Sequence, residues 1–217
     1  MIRESASVFD APVPLGWGKK MAISIRFYEE LNDFLPPWRR KKLIVVPDSG
    51  LRSVKDLIES LGVPHTEVDL ILVDGKSVSF DFRVKDGERV AVYPKFESLD
   101  ISGLSRINRA PLRECRFVAD VHLGKLVRRL RLLGFDCVYR PSMDDEELAR
   151  CSRHEGRILL TRDCDLLKRG DVTHGIFIKS DQAASQARQV MDRLDLRNAA
   201  KPFTRCVSCN GELRDAA

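Results

Sequence analysis

The chain has 217 residues, 43% hydrophobic and 32% charged, enough for one large or two small domains that each bury a core. Its apolar runs are only a few residues long, far short of a membrane span, and residues 1–20 lack the apolar core of an export signal. These features argue against a membrane protein and lead us to expect a soluble, cytoplasmic one.

The formal net charge of +5 is unevenly placed. Residues 1–103 hold 15 Lys+Arg against 16 Asp+Glu, whereas residues 104–217 hold 22 against 16. A basic half points to a polyanionic partner, because neutralising phosphates releases counterions. The six cysteines (Cys115, Cys137, Cys151, Cys164, Cys206 and Cys209) are scattered, and in the cytoplasm they are expected as reduced thiols.

In chain order, residues 1–20 read as a loose tail. A first domain is expected over 21–98. There "AISIRFYEELNDFLP" reads as an alternating strand and "KKLIVVP" as its hairpin partner. "SVKDLIESLGVP" is a short helix with Ser53 as N-cap, Asp56 at the third helical position, and Gly62 and Pro64 at its end. "DLILVDGKSV" and "VKDGERVAVYPKF" carry the turn pairs Asp74-Gly75 and Asp86-Gly87. The order strand, strand, helix, strand, strand describes a small mixed sheet wrapped on one helix. With "DGERVAVYP" near its end, it resembles the ubiquitin-like β-grasp fold of the sulfur carriers of the molybdopterin and thiamine pathways. Those carriers act through a terminal Gly-Gly, but here the strand runs on into "KFESLDISGLSRINRAPLREC". This half is therefore expected to be a binding or assembly module with a protein or RNA partner. Residues 99–114, polar and containing Pro111, read as a linker.

From 115 to 199 strands and helices alternate. "RFVAD", "FDCVYR", "RILLT" and "GIFIK" are strands, and "HLGKLVRRLRLLG", "DDEELARCSRHEG", "CDLLKRG" and "SDQAASQARQVMDRLDL" are the helical segments between and after them. Short connections predict a parallel sheet with helices on both faces. No Gly-rich phosphate loop follows the first strand, so a dinucleotide or P-loop reading lacks its motif.

Ligands of open parallel sheets gather at the carboxyl ends of the strands. Asp120 ends the first strand, Asp144 and Asp145 follow the second, Asp163 and Asp165 the third, and Asp181 the fourth. Carboxylates gathered on one edge repel unless a cation lies between them, and oxygen ligands suit Mg²⁺ or Mn²⁺. Each acid also has a local reading. Asp144 with Glu147 fits a capping box, Asp181 an ordinary helix start, and Asp163 and Asp165 turn residues. In the first helix Leu123, Leu126, Val127, Leu130 and Leu133 form an apolar stripe, and Lys125, Arg128, Arg129 and Arg131 take the remaining surface. That face, with Arg162, can hold a nucleic-acid backbone or simply be solvated.

The stretch from Asp120 through Asp136, then Asp144-Asp145-Glu146, Arg157 through Asp163, and "RCVSCN" at 205–210 together resemble the PIN-like RNase domain of the mutator-seven C-terminal (Mut7-C) family. The likeness covers about residues 115–210, and bacterial members often carry a ubiquitin-like module in front. It implies an α/β/α PIN-like fold and metal-dependent RNA cleavage by clustered acids. By position it makes Asp120 and Asp163 the central Mg/Mn ligands, Asp144 or Asp145 the third acid, and Asp165 or Asp181 an outer ligand. His122 stands where the family commonly has a small or apolar residue, and it either touches substrate or packs. A homodimer is also compatible, since PIN-like proteins often pair.

Residues 200–217 read as half of a zinc knuckle. Cys206-x-x-Cys209 followed by Asn-Gly supplies two of the four ligands that a structural Zn needs. His174, Cys164 or a second subunit are candidates for the rest. The expected protein is therefore a metal-dependent ribonuclease fused to a ubiquitin-like module. The alternative is a non-catalytic RNA-binding or interaction protein that retains the PIN-like fold.

Overall fold

The computed structural model describes residues 22–47, 53–95, 103–107 and 114–214. The tail expected at 1–20 and most of the linker expected at 99–114 lie outside the described residues.

Strands β1 (Ala22–Phe27), β2 (Ile44–Pro47), β3 (Val68–Val73), β4 (Lys76–Ser77) and β5 (Arg89–Pro94) form one sheet in the order β2-β1-β5-β3-β4. β1 runs parallel to β5, and the other pairs are antiparallel. Alternation along β1 turns Ile23, Ile25 and Phe27 inward, where they meet Val54, Leu57 and Ile58 of helix α1 (Val54–Ser60). The α1 start is a full capping box: the Ser53 hydroxyl accepts from Asp56 N at 3.1 Å and the Asp56 carboxylate from Ser53 N at 3.3 Å. Asp74 (φ 46°) and Gly75 (φ 79°) make the β3–β4 turn with both residues left-handed.

One expected strand is shorter than its sequence pattern. β1 stops at Phe27, and Glu29–Phe34 is a 3₁₀ turn. Leu31 and Leu35 are buried while Asp33 midway between them is exposed, which suits a turn of helix and not a strand, where all three would share one face. The buried Asn32 amide donates to the carbonyls of Phe27 and Glu29, each at 3.0 Å, and its Oδ1 accepts from Lys41 N at 2.6 Å. Those three bonds fold the chain back before β2 begins.

The second module carries β6 (Phe117–Ala119), α2 (Gly124–Leu132), β7 (Cys137–Val138), α3 (Asp145–Glu155), β8 (Ile158–Thr161), α4 (Cys164–Lys168), β9 (Gly175–Phe177) and α5 (Ala183–Arg193). All its strand pairs are parallel, in the order β7-β6-β8-β9. Ile158 and Leu160 of β8 pack with α2 and α5, whereas Leu159 between them packs with α3 and α4. Helices therefore cover both faces, as the alternation of strand and helix predicts.

Both edges of this sheet are closed by side chains from elsewhere. On β9, Phe177 N donates to Glu67 Oε1 of the first module at 2.7 Å, and Glu67 Oε2 pairs with Arg193 of α5 at 2.6 Å. Phe34 meets Phe177 edge-on at 5.3 Å, Lys179 pairs with Asp33 at 2.6 Å, and His65 Nε2 bonds the Val172 carbonyl at 2.9 Å. The two modules thus share a built interface along one sheet edge.

On β7 the cover comes from the C-terminal segment. Asn210 Oδ1 accepts from Cys137 N at 3.1 Å, and its amide donates to Asp136 at 2.7 Å. Arg157 adds a bidentate pair to Asp136 at 2.9 and 3.1 Å. Burial pushes the Asp136 carboxyl up, but bonds from Arg157 and Asn210 and the Arg157 charge outweigh it and hold it below the usual range. A lowered carboxyl contributes stability that is complete above the unfolded value of about 3.9 and is lost as pH falls through the folded one. Urea midpoints of the wild type and Asp136→Asn are thus expected to converge as pH drops below about 3.9. A gap that stays constant through that window would count against this seat.

Gly134 shows how closely the C-terminal segment lies. Its φ is 92°, and a Cβ there would stand 2.1 Å from the Lys201 carbonyl oxygen. Lys201 N donates to Leu133 O at 2.9 Å and Phe203 N to Leu132 O at 3.0 Å. Among the described residues no helix is long and apolar enough to cross a membrane.

Candidate active site

The chain enters the parallel sheet at β6, moves out to β7, then crosses back to β8 and β9. The connection after β6 leaves on the α2 face and that after β8 on the α4 face, so a crevice opens between them at the carboxyl ends. Asp120 is the first residue past β6, and Asp163 is the second past β8. The two acids singled out by their position after hydrophobic strands therefore flank the switch point of the sheet.

Thr161 joins them. Its hydroxyl donates to Asp120 Oδ2 at 2.9 Å and accepts from Asp163 N at 3.0 Å, and the residue is fully buried. Asp163 caps α4, its Oδ1 accepting from Asp165 N at 2.7 Å and Leu166 N at 3.4 Å. Among the described residues Asp120 Oδ1 and Asp163 Oδ2 make no hydrogen bond, so each carboxylate keeps one oxygen for a ligand. Thr161 is the site residue that sequence reasoning passes over. It reads as the last residue of a strand, and only the pairing of β6 with β8 reveals its partner. A Thr161→Val variant keeps the shape and loses both bonds. We expect it to cost about 10- to 100-fold in any metal-dependent activity, read from initial rates, with a lowered melting temperature. Unchanged rates would remove Thr161 from the site.

The turn that carries Asp120 onward is fixed by Tyr139, whose hydroxyl donates to the Val121 carbonyl at 2.9 Å. A Cβ on Gly124 would lie 2.9 Å from that same hydroxyl oxygen, which explains a glycine at the first position of α2. His122 is exposed on this turn.

The remaining acids are less tightly placed. Asp144 caps α3, accepting from Glu147 N at 2.8 Å, and Asp145 is exposed in the first turn of that helix. Asp165 pairs with Lys168 at 2.9 Å, and Asp181 pairs with Arg162. Among the described residues no group of three or more His, Cys, Asp or Glu side chains is assembled to hold a metal ion. The crevice thus offers the Asp120 and Asp163 carboxylates, with Asp144 used as a cap, Asp165 and Asp181 in ion pairs, and Asp145 exposed.

Of the basic residues read as a nucleic-acid face, Lys125, Arg128 and Arg129 are exposed on α2. Arg162 is held by Asp181. Arg131 is not on that face. It is buried at 5% exposure, and its guanidinium donates to the carbonyls of Cys137, Val207 and Ser208 at 2.6 to 3.2 Å. It locks the cysteine loop onto β7 and leaves no donor face for phosphate. A cleft of about 280 Å³ between the modules, lined by Lys95, Cys115, Ile158, Gly175 and Arg193 among others, lies at the opposite, amino end of β8 and β9.

Cys206 and Cys209 sit in a tight turn closed by Cys206 N to Gly211 O at 2.8 Å and Asn210 N to Cys206 O at 3.0 Å. Bonds from the backbone N–H groups of Cys209 and Ser208 hold the Cys206 thiol below its ordinary value, a geometry that favours a thiolate. Neither His174 nor Cys164 completes a group of ligands with them among the described residues.

A mixed five-stranded module followed by an all-parallel module with helices on both faces is the layout of a ubiquitin-like domain joined to a parallel α/β domain. Family models agree: Mut7-C ubiquitin matches residues 20–100 and the Mut7-C RNAse domain matches residues 115–217. The chain thus carries a Mut7-C ubiquitin domain followed by a Mut7-C RNAse domain. No curated protein and no solved structure shows a significant match.

Proposed function

We propose that the chain is a metal-dependent ribonuclease in which Asp120 and Asp163 hold Mg²⁺ or Mn²⁺ through the oxygens not used by Thr161 and by the α4 cap. The observation that carries this reading is the Thr161 hydroxyl, which bonds the Asp120 carboxylate and the Asp163 backbone N–H and so ties two strand-end acids to the switch point of a module that matches the Mut7-C RNAse domain. The donor set fits such an ion, because Mg²⁺ commonly keeps several waters and takes only one or two carboxylates plus substrate phosphates. When bound, the ion supplies Lewis-acid polarisation of the phosphodiester and an activated water. Asp144 or Asp145 at the start of α3 serves as a third acid, and Asp165 or Asp181 as an outer one. Lys125, Arg128 and Arg129 hold the phosphate backbone as it approaches the crevice, and Arg162 exchanges Asp181 for phosphate. Cys206 and Cys209 supply half of a Zn site that stabilises the C-terminal segment.

The test is incubation of the protein with single-stranded RNA and Mn²⁺ or Mg²⁺, with Asp120→Asn and a chelator as controls. Cleavage lost in both controls supports the reading, and cleavage surviving both sinks it. One competing reading is an RNA-binding module without catalysis, since among the described residues no third acid is assembled with Asp120 and Asp163. RNA binding with no cleavage of any substrate would select it.

A further inference from the structure

We propose that the Trp38–Lys42 loop of the ubiquitin-like module is a docking platform for single-stranded RNA that extends the substrate track of the nuclease-like module. The inference rests on the ribonuclease reading above only for the direction of that track.

The loop reads "PPWRRKK" from Pro36 to Lys42, with four consecutive cations beside a tryptophan. Trp38 is 69% exposed, an unusual fraction for the residue type, and Arg39, Arg40, Lys41 and Lys42 are all exposed. Among the described residues no acidic side chain pairs with Arg39, Lys41 or Lys42. A flat ring among cations is what a single strand requires, since bases stack on the ring and phosphates meet the charges. A closed duplex offers no unstacked base to Trp38.

The platform is built. Pro36 is extended, and Pro37 opens the short 3₁₀ turn Pro37–Arg39, so the backbone beneath Trp38 is restricted before any ligand arrives. Arg40 Nε donates to Leu35 O at 2.8 Å, which ties one cation to the loop and aims it. Lys41 takes a left-handed φ of 57° and is held there by its N–H bond to Asn32 Oδ1. Asn32 is 5% exposed and spends its remaining donors on Phe27 and Glu29. A buried side chain thus presents the run from below.

Phe34 and Asp33, just ahead of the loop, contact Phe177 and Lys179 at the carboxyl end of β9. Phe177 is in register with Thr161, the residue that joins Asp120 to Asp163. Trp38 is four residues from Phe34, a reach of at most about 14 Å. The segment that leads into the platform is thus anchored at the carboxyl end of β9, next to the strand that carries Thr161, which puts the platform within reach of RNA flanking the cleavage point.

The experiment measures binding of a labelled 16-nucleotide oligouridylate by anisotropy in EDTA, so that cleavage plays no part, at several salt concentrations. Trp38→Ala is expected to weaken binding about 5- to 150-fold, the loss of one base stack. An Arg39→Gln/Lys42→Gln variant is expected to flatten the plot of log K against log salt by about 1.4. Both sites are exposed, and an unchanged melting temperature in each variant shows that the fold is intact. Unchanged affinity in Trp38→Ala with an unchanged salt slope in the double variant overturns the proposal. Trp38-dependent sedimentation with phosphatidylserine vesicles, in place of RNA binding, also overturns it and makes the loop a membrane contact. Failure of the parent reading looks different: RNA still binds through Trp38, but neither Mn²⁺ nor Mg²⁺ produces cleavage.

Discussion

An Asp163→Asn variant is expected to fold normally and to lose about 100-fold or more of its metal-dependent RNA cleavage. Asparagine caps a helix as well as aspartate does, so the bonds from Asp165 N and Leu166 N to Oδ1 survive the change. What disappears is the carboxylate charge that the proposed metal would meet. A divalent ion contributes several kcal/mol of charge stabilisation at phosphorus, and each 1.36 kcal/mol is about a factor of ten in rate. Asp120→Asn should behave alike, since its amide oxygen still accepts from Thr161. Matched melting curves with rates lowered in both variants separate loss of chemistry from loss of fold. Full activity in either variant places the reaction elsewhere.

The second large effect concerns stability. Glu67 is 1% exposed and bonds both the Arg193 guanidinium and the Phe177 N–H of an edge strand. Glu67→Ala leaves a largely buried cation unpaired and an edge N–H without its acceptor. Breaking one partner of a buried ion pair costs about 3–5 kcal/mol. For a chain of this size that lowers the melting temperature by about 6–20 °C, read by calorimetry. Glu67→Gln keeps an oxygen for Phe177 N and should fall between the two. A melting temperature within about 1 °C of the wild type in Glu67→Ala would show that the modules do not depend on this clasp.

Much of the fold is legible because its determinants are local. The alternation in "AISIRF", the capping box at Ser53 and Asp56, and the Asp74-Gly75 turn each act within a few residues. The strand–helix alternation from 115 onward likewise forces a parallel sheet, and carboxyl-end geometry then places Asp120 and Asp163 together. What stays hidden depends on partners far along the chain. Arg131 looks like one more cation on a basic helix, yet its acceptor Ser208 is 77 residues away and buries it. Glu67 lies in a short 3₁₀ turn, and the edge strand it closes is 110 residues on. Trp38 escapes notice for another reason. Its run breaks no local pattern, and only the fold-back at Asn32 and the contacts of Asp33 and Phe34 tie the segment before it to the carboxyl end of β9.

The central claim, that Asp120 and Asp163 share a divalent ion, is tested most directly by anomalous diffraction from crystals of the protein soaked in Mn²⁺. A single strong peak within coordination distance of both carboxylates, absent from Asp163→Asn crystals, is the predicted result. A saturating soak that leaves the crevice without a peak, or places Mn²⁺ on other residues, contradicts it.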